Sequence, residues 1–305
     1  MPFYVSPQQA MQDKANYAQQ GVARGRSCVA LQYAGGILMV SPNASNALHK
    51  ISELYDSIGF AAVGRYNEYE NLRKAGITYA DIMGYQYDRN DVTARGIANY
   101  YAQQLGTIFT ESPKPWEVEL VVAEIGEEPS ADQIYRITFD GSVSDESGYV
   151  AFGGDAGKVT AVLKERYSEG MTLAQAFAAA IAALSALSAP GASASASSAQ
   201  SAASNGGDRP ELTAGQLEVA ILDRSRDHRK FRRIRGARLE ELLAEARAAQ
   251  AAADGSASET GTSETSTSET GTSETGTSET GAGQAGTGET ASGDSGTSDT
   301  AGGEG

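Results

Sequence analysis

Residues 24–42, RGRSCVALQYAGGILMVSP, contain the feature that decides the fold, a short β-hairpin. Two apolar segments, SCVALQY and ILMVS, flank Ala34-Gly35-Gly36, and glycines at such a turn supply the positive φ angles of a tight hairpin. The same stretch contains Cys28, the only cysteine of the chain. Because a lone cysteine in an intracellular chain is a candidate nucleophile, the hairpin raises the question of whether it holds an active site.

A helix is predicted on the N-terminal side of the hairpin. Ser6 followed by Pro7 and Gln9 is typical of a helix start, with serine as the N-cap and proline at the first helical position. The helix is expected to run to about Gln20, with Gly21 as its C-terminal stop. A structured helix therefore leads into the hairpin.

On the C-terminal side of the hairpin, β segments and helix pairs alternate. The β segment IGFAAVGR precedes two helices, of which the first is expected to end at Gly76 and the second to begin at the N-cap Asp91. The β segments WEVELVVAEIG, QIYRITFD and YVAFGG follow, then the helices KVTAVLKERYSEG and TLAQAFAAAIAALSAL, the strands QLEVAILDR and KFRRIR, and a closing helix from about Ala237 to Gln250. The tight turns favour antiparallel strands. The pattern predicts an α+β protein, a four-layer α-β-β-α sandwich.

Ten of the fifteen net negative charges lie at the C-terminal end of the chain. Residues 254–305 contain ten acidic residues and no Lys or Arg, and the remainder has no concentrated positive field of the kind that phosphate recognition needs. The basic stretch 223–236, DRSRDHRKFRRIRG, offers only Phe231 to stack on a base. A strand whose cations meet acidic groups of a neighbouring subunit is the simpler interpretation, so no nucleic-acid partner is expected.

Two segments have no large apolar residues and are predicted to lie outside the fold. They are the Ser/Ala/Gly loop 188–209 and the acidic Thr/Ser/Glu/Gly tail 251–305, which is expected to be disordered. The sequence shows no signal peptide, no apolar run long enough to span a bilayer and no Cys/His cluster. We therefore expect a cytoplasmic protein with no membrane partner, no metal and no cofactor.

Four longer segments carry a resemblance to a known family. They are SPQQAMQDKANYAQQGVARGRS, LHKISELYDSIGFAAVGRYNEYENLRKAGI, YDRNDVTARGIANYYAQQLGTIFTESPKPWEVEL and YRITFDGS. In this order they are similar to the α-type subunit of the actinobacterial proteasome core particle, over roughly residues 3–250. The resemblance implies the N-terminal-nucleophile hydrolase fold, which is the same four-layer sandwich, within a domain spanning residues 7–250.

The resemblance implies that peptide bonds are cleaved by related β-type subunits, whose mature first residue is a threonine supported by a lysine and an aspartate. Here the nucleophile position falls at about Arg26 or Ser27 and the aspartate position at Pro42, so that only the lysine, Lys50, remains. No catalytic residue is expected, and Cys28 is interpreted as a core residue. Two alternatives remain: a stand-alone N-terminal-nucleophile hydrolase that uses Ser27 or Cys28, and an assembly scaffold with no protease partner.

The resemblance also implies a role in assembly and gating. Seven α subunits form a ring with one another at each end of a cylinder whose inner rings are proteolytic β subunits. The segment before the first helix then lies over the axial pore and closes it as a gate, formed by Met1, Pro2, Phe3, Tyr4, Val5 and Ser6.

Pockets between neighbouring subunits of the family receive the C-terminal tails of a ring-shaped AAA+ ATPase, which delivers substrates tagged with a small ubiquitin-like modifier. The resemblance assigns Lys50 to the tail carboxylate, Gly25 to close backbone approach and Arg65 to the rim. The structural alternatives are a pair between Lys50 and a neighbouring Asp or Glu, and a simple helix-to-strand joint at Gly25.

Overall fold

Six α-helices and ten β-strands form the part of the chain that the computed structural model describes, residues 6–45, 47–188 and 212–259. These residues belong to one compact unit, Met1–Gly261. Residues 1–5 of the predicted gate, the predicted loop apart from Ser188, and the predicted tail after residue 259 lie outside the described residues.

The elements follow one another in the grouped order that the sequence predicts. The helices are α1 (Pro7–Ala23), α2 (Tyr66–Gln86), α3 (Ala94–Glu111), α4 (Ala156–Arg166), α5 (Leu173–Ser185) and α6 (Ala237–Glu259). The strands are β1 (Cys28–Tyr33), β2 (Gly36–Pro42), β3 (Ile51–Tyr55), β4 (Ile58–Gly64), β5 (Val118–Glu124), β6 (Gln133–Ile137), β7 (Val143–Asp145), β8 (Tyr149–Phe152), β9 (Leu217–Asp223) and β10 (Phe231–Ile234).

The strands form two five-stranded sheets. The first has the order β10-β9-β2-β1-β8 and the second the order β3-β4-β5-β6-β7, and neighbouring strands are antiparallel throughout. The predicted hairpin is β1 and β2, with Tyr33 opposite Gly36. Gly36 has a φ of +149°, and a Cβ there would collide with the carbonyl oxygen of Leu222, so that the turn requires glycine.

Four layers result because both faces of each sheet are covered. Side chains of β1 alternate, with Val29 and Leu31 packing under α4, α5 and α6 and Cys28 and Ala30 pointing between the sheets. The outer face of the second sheet is covered by α2 and α3. Each large apolar side chain buried in this way contributes about 1.5–3 kcal/mol to stability. The predicted α-β-β-α sandwich is confirmed.

Helix α1 continues past the predicted stop. It ends at Ala23, and Gly21 lies inside its last turn. A Cβ at Gly21 would overlap the side chain of Glu117, so this glycine provides room for a neighbour instead of ending the helix. Lys14 fixes the helix to the end of α3, where its Nζ donates to the carbonyl oxygens of Phe109 (3.1 Å) and Ser112 (2.9 Å).

The other predicted helix boundaries also shift. Helix α2 does not end at Gly76 but continues to Gln86. Gly76 is not a helix stop: a Cβ at this position would overlap the hydroxyl of the buried Tyr101, so the glycine provides space for that side chain. The N-cap of α3 is Thr93, whose Oγ1 accepts a hydrogen bond from the amide of Gly96 (3.2 Å). The predicted cap, Asp91, belongs to a short 3-10 turn before it. The closing helix α6 ends at Glu259, later than predicted.

Candidate functional site

The three residues predicted for the pocket lie where β1, β3 and β4 have their ends. Lys50 directly precedes β3, and its carbonyl oxygen accepts a hydrogen bond from the amide of Ala62 in β4 (3.0 Å). Gly25 joins α1 to β1 and packs on Val63 of β4. Arg65 directly follows β4 as the N-cap residue of α2. The fold therefore brings residues that are distant in sequence to one end of the sandwich.

The ammonium group of Lys50 is partly buried and has a single hydrogen bond to protein among the described residues. Its Nζ donates to the carbonyl oxygen of Arg26 (3.2 Å). Burial lowers the pKa of Lys50 below the ordinary lysine value, and the nearby charge of Arg26 lowers it further. Within residues 6–45, 47–188 and 212–259 no carboxylate lies within ion-pair distance of this Nζ. The alternative in which Lys50 pairs with an adjacent Asp or Glu is therefore not seen in this part of the chain.

The main chain at Lys50 is held by a buried carboxylate, Glu218 of β9. Its Oε2 accepts hydrogen bonds from the amide of Lys50 (2.9 Å) and from Nδ2 of Asn43 (2.8 Å). Its Oε1 accepts the amide of Ile51 (3.2 Å) and pairs with the guanidinium of Arg233 in β10. We did not predict this group from the sequence, although an acidic residue inside the apolar strand segment LEVAIL is itself a sign of a buried, partnered carboxylate.

Gly25 and Arg65 have contacts within the chain that account for them locally. The amide of Gly25 donates to the carbonyl oxygen of Val22 (2.9 Å), and a Cβ at this position would collide with Val63. The Nε of Arg65 lies 3.1 Å from Oε1 of the buried Glu117, while the arginine side chain remains 53% exposed. Their contact with an activator tail stays a prediction.

Ser27 and Cys28, the candidate nucleophiles of the alternative reading, are both buried. The hydroxyl of Ser27 donates to the carbonyl oxygen of Gly153 (3.0 Å), and its main chain continues back through Arg26 into α1. Cys28 lies between the two sheets, where burial raises the pKa of its thiol to about 12. Because a reactive cysteine needs a low pKa and access to solvent, this environment is that of a core residue.

The cations of the basic stretch 223–236 pair within the chain. Arg224 forms a bidentate pair with the buried Asp132 (2.8 and 2.9 Å), and Arg229 pairs with Glu53 (2.9 Å). Arg233 pairs with Glu218 in the same chain, and the contact of Lys230, Arg232 and the following residues with acidic groups of a neighbouring subunit stays a prediction.

Residues 6–45, 47–188 and 212–259 contain no group of three or more His, Cys, Asp or Glu side chains placed to hold a metal ion. Among the described helices, none combines the length and the apolar character that crossing a membrane requires.

Comparison with known proteins decides the family. A family model described as "Proteasome subunit" matches residues 22–199, which include the hairpin, both sheets' central strands and all three pocket residues. The chain belongs to the proteasome subunit family. The predicted resemblance to actinobacterial α-type subunits is confirmed, and with it the N-terminal-nucleophile hydrolase fold.

The similar curated proteins are named "Proteasome subunit alpha". The protein of Thermobifida fusca is 58% identical over 246 residues, which cover 81% of this chain and 92% of that protein. The protein of Streptosporangium roseum is 60% identical over 252 residues, which cover 82% and 90%. The protein of Thermomonospora curvata is 60% identical over 245 residues, which cover 80% and 98%. The matches therefore cover nearly the whole length of each relative.

Proposed function

We propose that this chain is a non-catalytic α-ring subunit of a proteasome core particle and that it binds the C-terminal tail of an activating AAA+ ATPase at Lys50. The observation that carries the proposal is the partly buried ammonium of Lys50, which has a carbonyl partner but no carboxylate in the described part of the chain. A tail that ends in a free carboxylate supplies the missing negative charge.

The energetic argument follows from the burial of Lys50. A lysine whose pKa is lowered by burial has lost part of its hydration, and a carboxylate that enters the site restores a charge-assisted hydrogen bond. Such a bond is worth about 1.5–3 kcal/mol, whereas an ion pair between fully exposed groups contributes about 0–1 kcal/mol. Lys50 is therefore better suited to bind a carboxylate than the exposed lysines of the surface.

The absence of peptidase activity follows from the positions that catalysis requires. Ser27 is buried and covered by the preceding chain, so that it has no free α-amine to move a proton. Pro42, at the position where an acid supports the lysine in proteolytic subunits, ends strand β2 and has no carboxylate. Proteolysis is proposed to take place on β-type partner subunits in the inner rings.

Gating is proposed for residues 1–6, in a ring of seven copies of this chain in the cytoplasm. Helix α1, which follows them, is fixed at two points: the Oγ of Ser6 caps its N-terminus by accepting the amide of Gln9 (3.2 Å), and Lys14 ties it to the end of α3. Because α1 is fixed in each subunit, the seven N-terminal segments of the proposed ring all begin at equivalent positions around the axial pore. A tail that binds at Lys50 favours the open gate when its affinity for the open state exceeds its affinity for the closed state. Substrates tagged with a ubiquitin-like modifier then enter the particle.

The test replaces Lys50 by alanine in the particle assembled with its β subunits. Lys50→Ala is expected to abolish ATPase-stimulated degradation of a folded substrate and to leave the hydrolysis of a short fluorogenic peptide unchanged. Lys74→Ala, which removes an exposed lysine of α2, is the matched control and is expected to behave as the wild type. Normal stimulation in Lys50→Ala would refute the docking assignment.

A further inference from the structure

The docking role proposed for Lys50 depends on where its main chain is held, and the buried carboxylate of Glu218 accepts a hydrogen bond from the amide of Lys50. We propose that Glu218 is a positioning residue for tail docking, which fixes the main chain of Lys50 and keeps a negative charge facing its ammonium group. This inference rests on the proposed function of Lys50 and adds a second residue to it, 168 positions away in the sequence.

The geometry makes Glu218 a clamp at the start of an edge strand. Among the strands of the described residues, β3 has β4 as its only neighbour, and within this part of the chain the main-chain groups on its other side have no strand partner. Glu218 accepts the amides of Lys50 and Ile51, and its partner Arg233 donates to the carbonyl oxygen of Ile51. Both side chains come from the opposite sheet, β9 and β10. The clamp thereby ties the first residues of β3 to a rigid element at the point where an edge strand would otherwise fray.

Burial and several polar partners distinguish Glu218 from a chance surface contact. Its side chain is only 8% exposed and also accepts Nδ2 of Asn43 (2.8 Å). The Nδ1 of His49 lies 3.2 Å from its Oε1. Removing the carboxylate leaves two main-chain amides and the guanidinium of Arg233 without their acceptor, which is costly for buried groups.

Glu218 acts on Lys50 through its negative charge as well as through its hydrogen bonds. Burial has the largest effect on the pKa of the Lys50 ammonium and lowers it; the positive Arg26 lowers it further, and the negative Glu218 raises it by a smaller amount than Arg26 lowers it. The thiol of Cys28 also faces Lys50, but it stays neutral because its own pKa is about 12. The charged or titratable groups near Glu218 itself are Arg233, His49, Tyr69, Cys28 and Lys50.

A change in the pH dependence of docking follows from this arrangement. A tail carboxylate binds the protonated form of Lys50, so affinity is retained at neutral pH and lost as the pH rises through the pKa of Lys50. Replacing Glu218 by glutamine keeps the shape, replaces one acceptor oxygen by an NH2 group and removes the charge that raises this pKa. The alkaline loss of affinity then begins at a lower pH than in the wild type, whereas a purely structural role would weaken binding equally at every pH.

The experiment uses the intact particle and a fluorescent peptide that carries the C-terminal residues of the cognate ATPase and ends in a free carboxylate. Its affinity is measured by anisotropy from neutral to alkaline pH for the wild type, Glu218→Gln and Glu218→Ala. Glu119→Gln is the matched control, because Glu119 is equally buried, accepts one main-chain amide and pairs with Arg136, but has no contact with Lys50. Lys50→Arg, which stays protonated throughout, identifies the alkaline limb as that of Lys50.

Glu218→Ala is expected to weaken binding about tenfold at neutral pH, from the loss of buried charge-assisted hydrogen bonds. Glu218→Gln is expected to shift the alkaline limb to lower pH, and Glu119→Gln to leave it in place. If Glu218→Ala does not assemble, Glu218→Gln decides the question alone. If the alkaline loss of affinity in Glu218→Gln occurs at the same pH as in the wild type, the role of Glu218 is overturned. The docking function still stands in that case, provided that Lys50→Ala abolishes the binding seen in the wild type. Equal binding by wild type and Lys50→Ala overturns both.

Discussion

Gly76 lies in the middle of α2, and its replacement by alanine tests how that helix packs on α3. An alanine inside a helix is normally more stable than a glycine by about 1 kcal/mol. At this position the added Cβ would overlap the hydroxyl oxygen of Tyr101. The two effects have opposite signs, so the measured change tells which one dominates.

The structure indicates that the overlap dominates. Tyr101 is fully buried, and its ring packs against Phe60 and Tyr100 with centroid separations of 6.0 and 5.9 Å, so it has little room to retreat. Overpacking of this kind costs about 1–3 kcal/mol. After the helix-propensity gain is subtracted, Gly76→Ala is expected to lower the free energy of unfolding by up to about 2 kcal/mol.

The assay is urea unfolding of the purified chain, followed by circular dichroism. Gly157→Ala in α4 is the matched control, since a Cβ there has no atom within 4 Å, and it is expected to be neutral or to stabilise by up to about 1 kcal/mol. Tyr101→Phe removes the hydroxyl, which has no hydrogen-bond partner among the described residues, and is expected to abolish the cost of Gly76→Ala in the double variant. A Gly76→Ala chain that is as stable as Gly157→Ala would refute the packing argument.

Three further predictions concern Cys28 and the N-terminal segment. Cys28 is expected to resist iodoacetamide in the native chain at mildly alkaline pH and to react once the chain is unfolded in urea; rapid native labelling would contradict the buried assignment. Because the thiol pKa is about 12 in the folded chain and near 9.0 without burial, unfolding releases a proton between these values, and the free energy of unfolding should fall as the pH rises from about 9 to about 12. Deletion of residues 2–6 is expected to raise peptide hydrolysis by the assembled particle without an activator, whereas truncation after residue 260 should leave it unchanged; an unaltered rate in the first variant would reject the gate.

The layered fold was predictable from the sequence because it depends on local patterns. The glycines of the first hairpin, the alternation of apolar residues and the grouping of strands and helices are all visible in short windows. The capping signal at Ser6 was also read correctly, since the side chain of Ser6 accepts the amide of Gln9 as predicted.

The helix boundaries were less predictable because distant residues decide them. Gly21 and Gly76 resemble helix stops, yet each provides space for a side chain from another element, Glu117 and Tyr101. Asp91 and Thr93 are both acceptable N-caps, and the 3-10 turn Arg89–Asp91 leaves the role to Thr93. A local rule cannot weigh contacts that only the folded chain creates.

The candidate site divides in the same way. Lys50 was found by its resemblance to a family position, but its lack of a carboxylate partner among the described residues became visible only in the structure. Glu218 was missed because its function lies in contacts with residues on another sheet. The one local indication was a charged residue among buried neighbours on β9.

The central claim, that Lys50 binds a tail carboxylate, is tested most directly by two peptides that differ only at the C-terminus. The ATPase tail peptide with a free carboxylate and the same peptide with a C-terminal amide are titrated against particles with Lys50 or with Lys50→Met. The wild-type particle is expected to prefer the carboxylate by about 10–100-fold, which corresponds to about 1.5–3 kcal/mol, and Lys50→Met is expected to lose that preference. An equal preference for the carboxylate in both particles would contradict the claim.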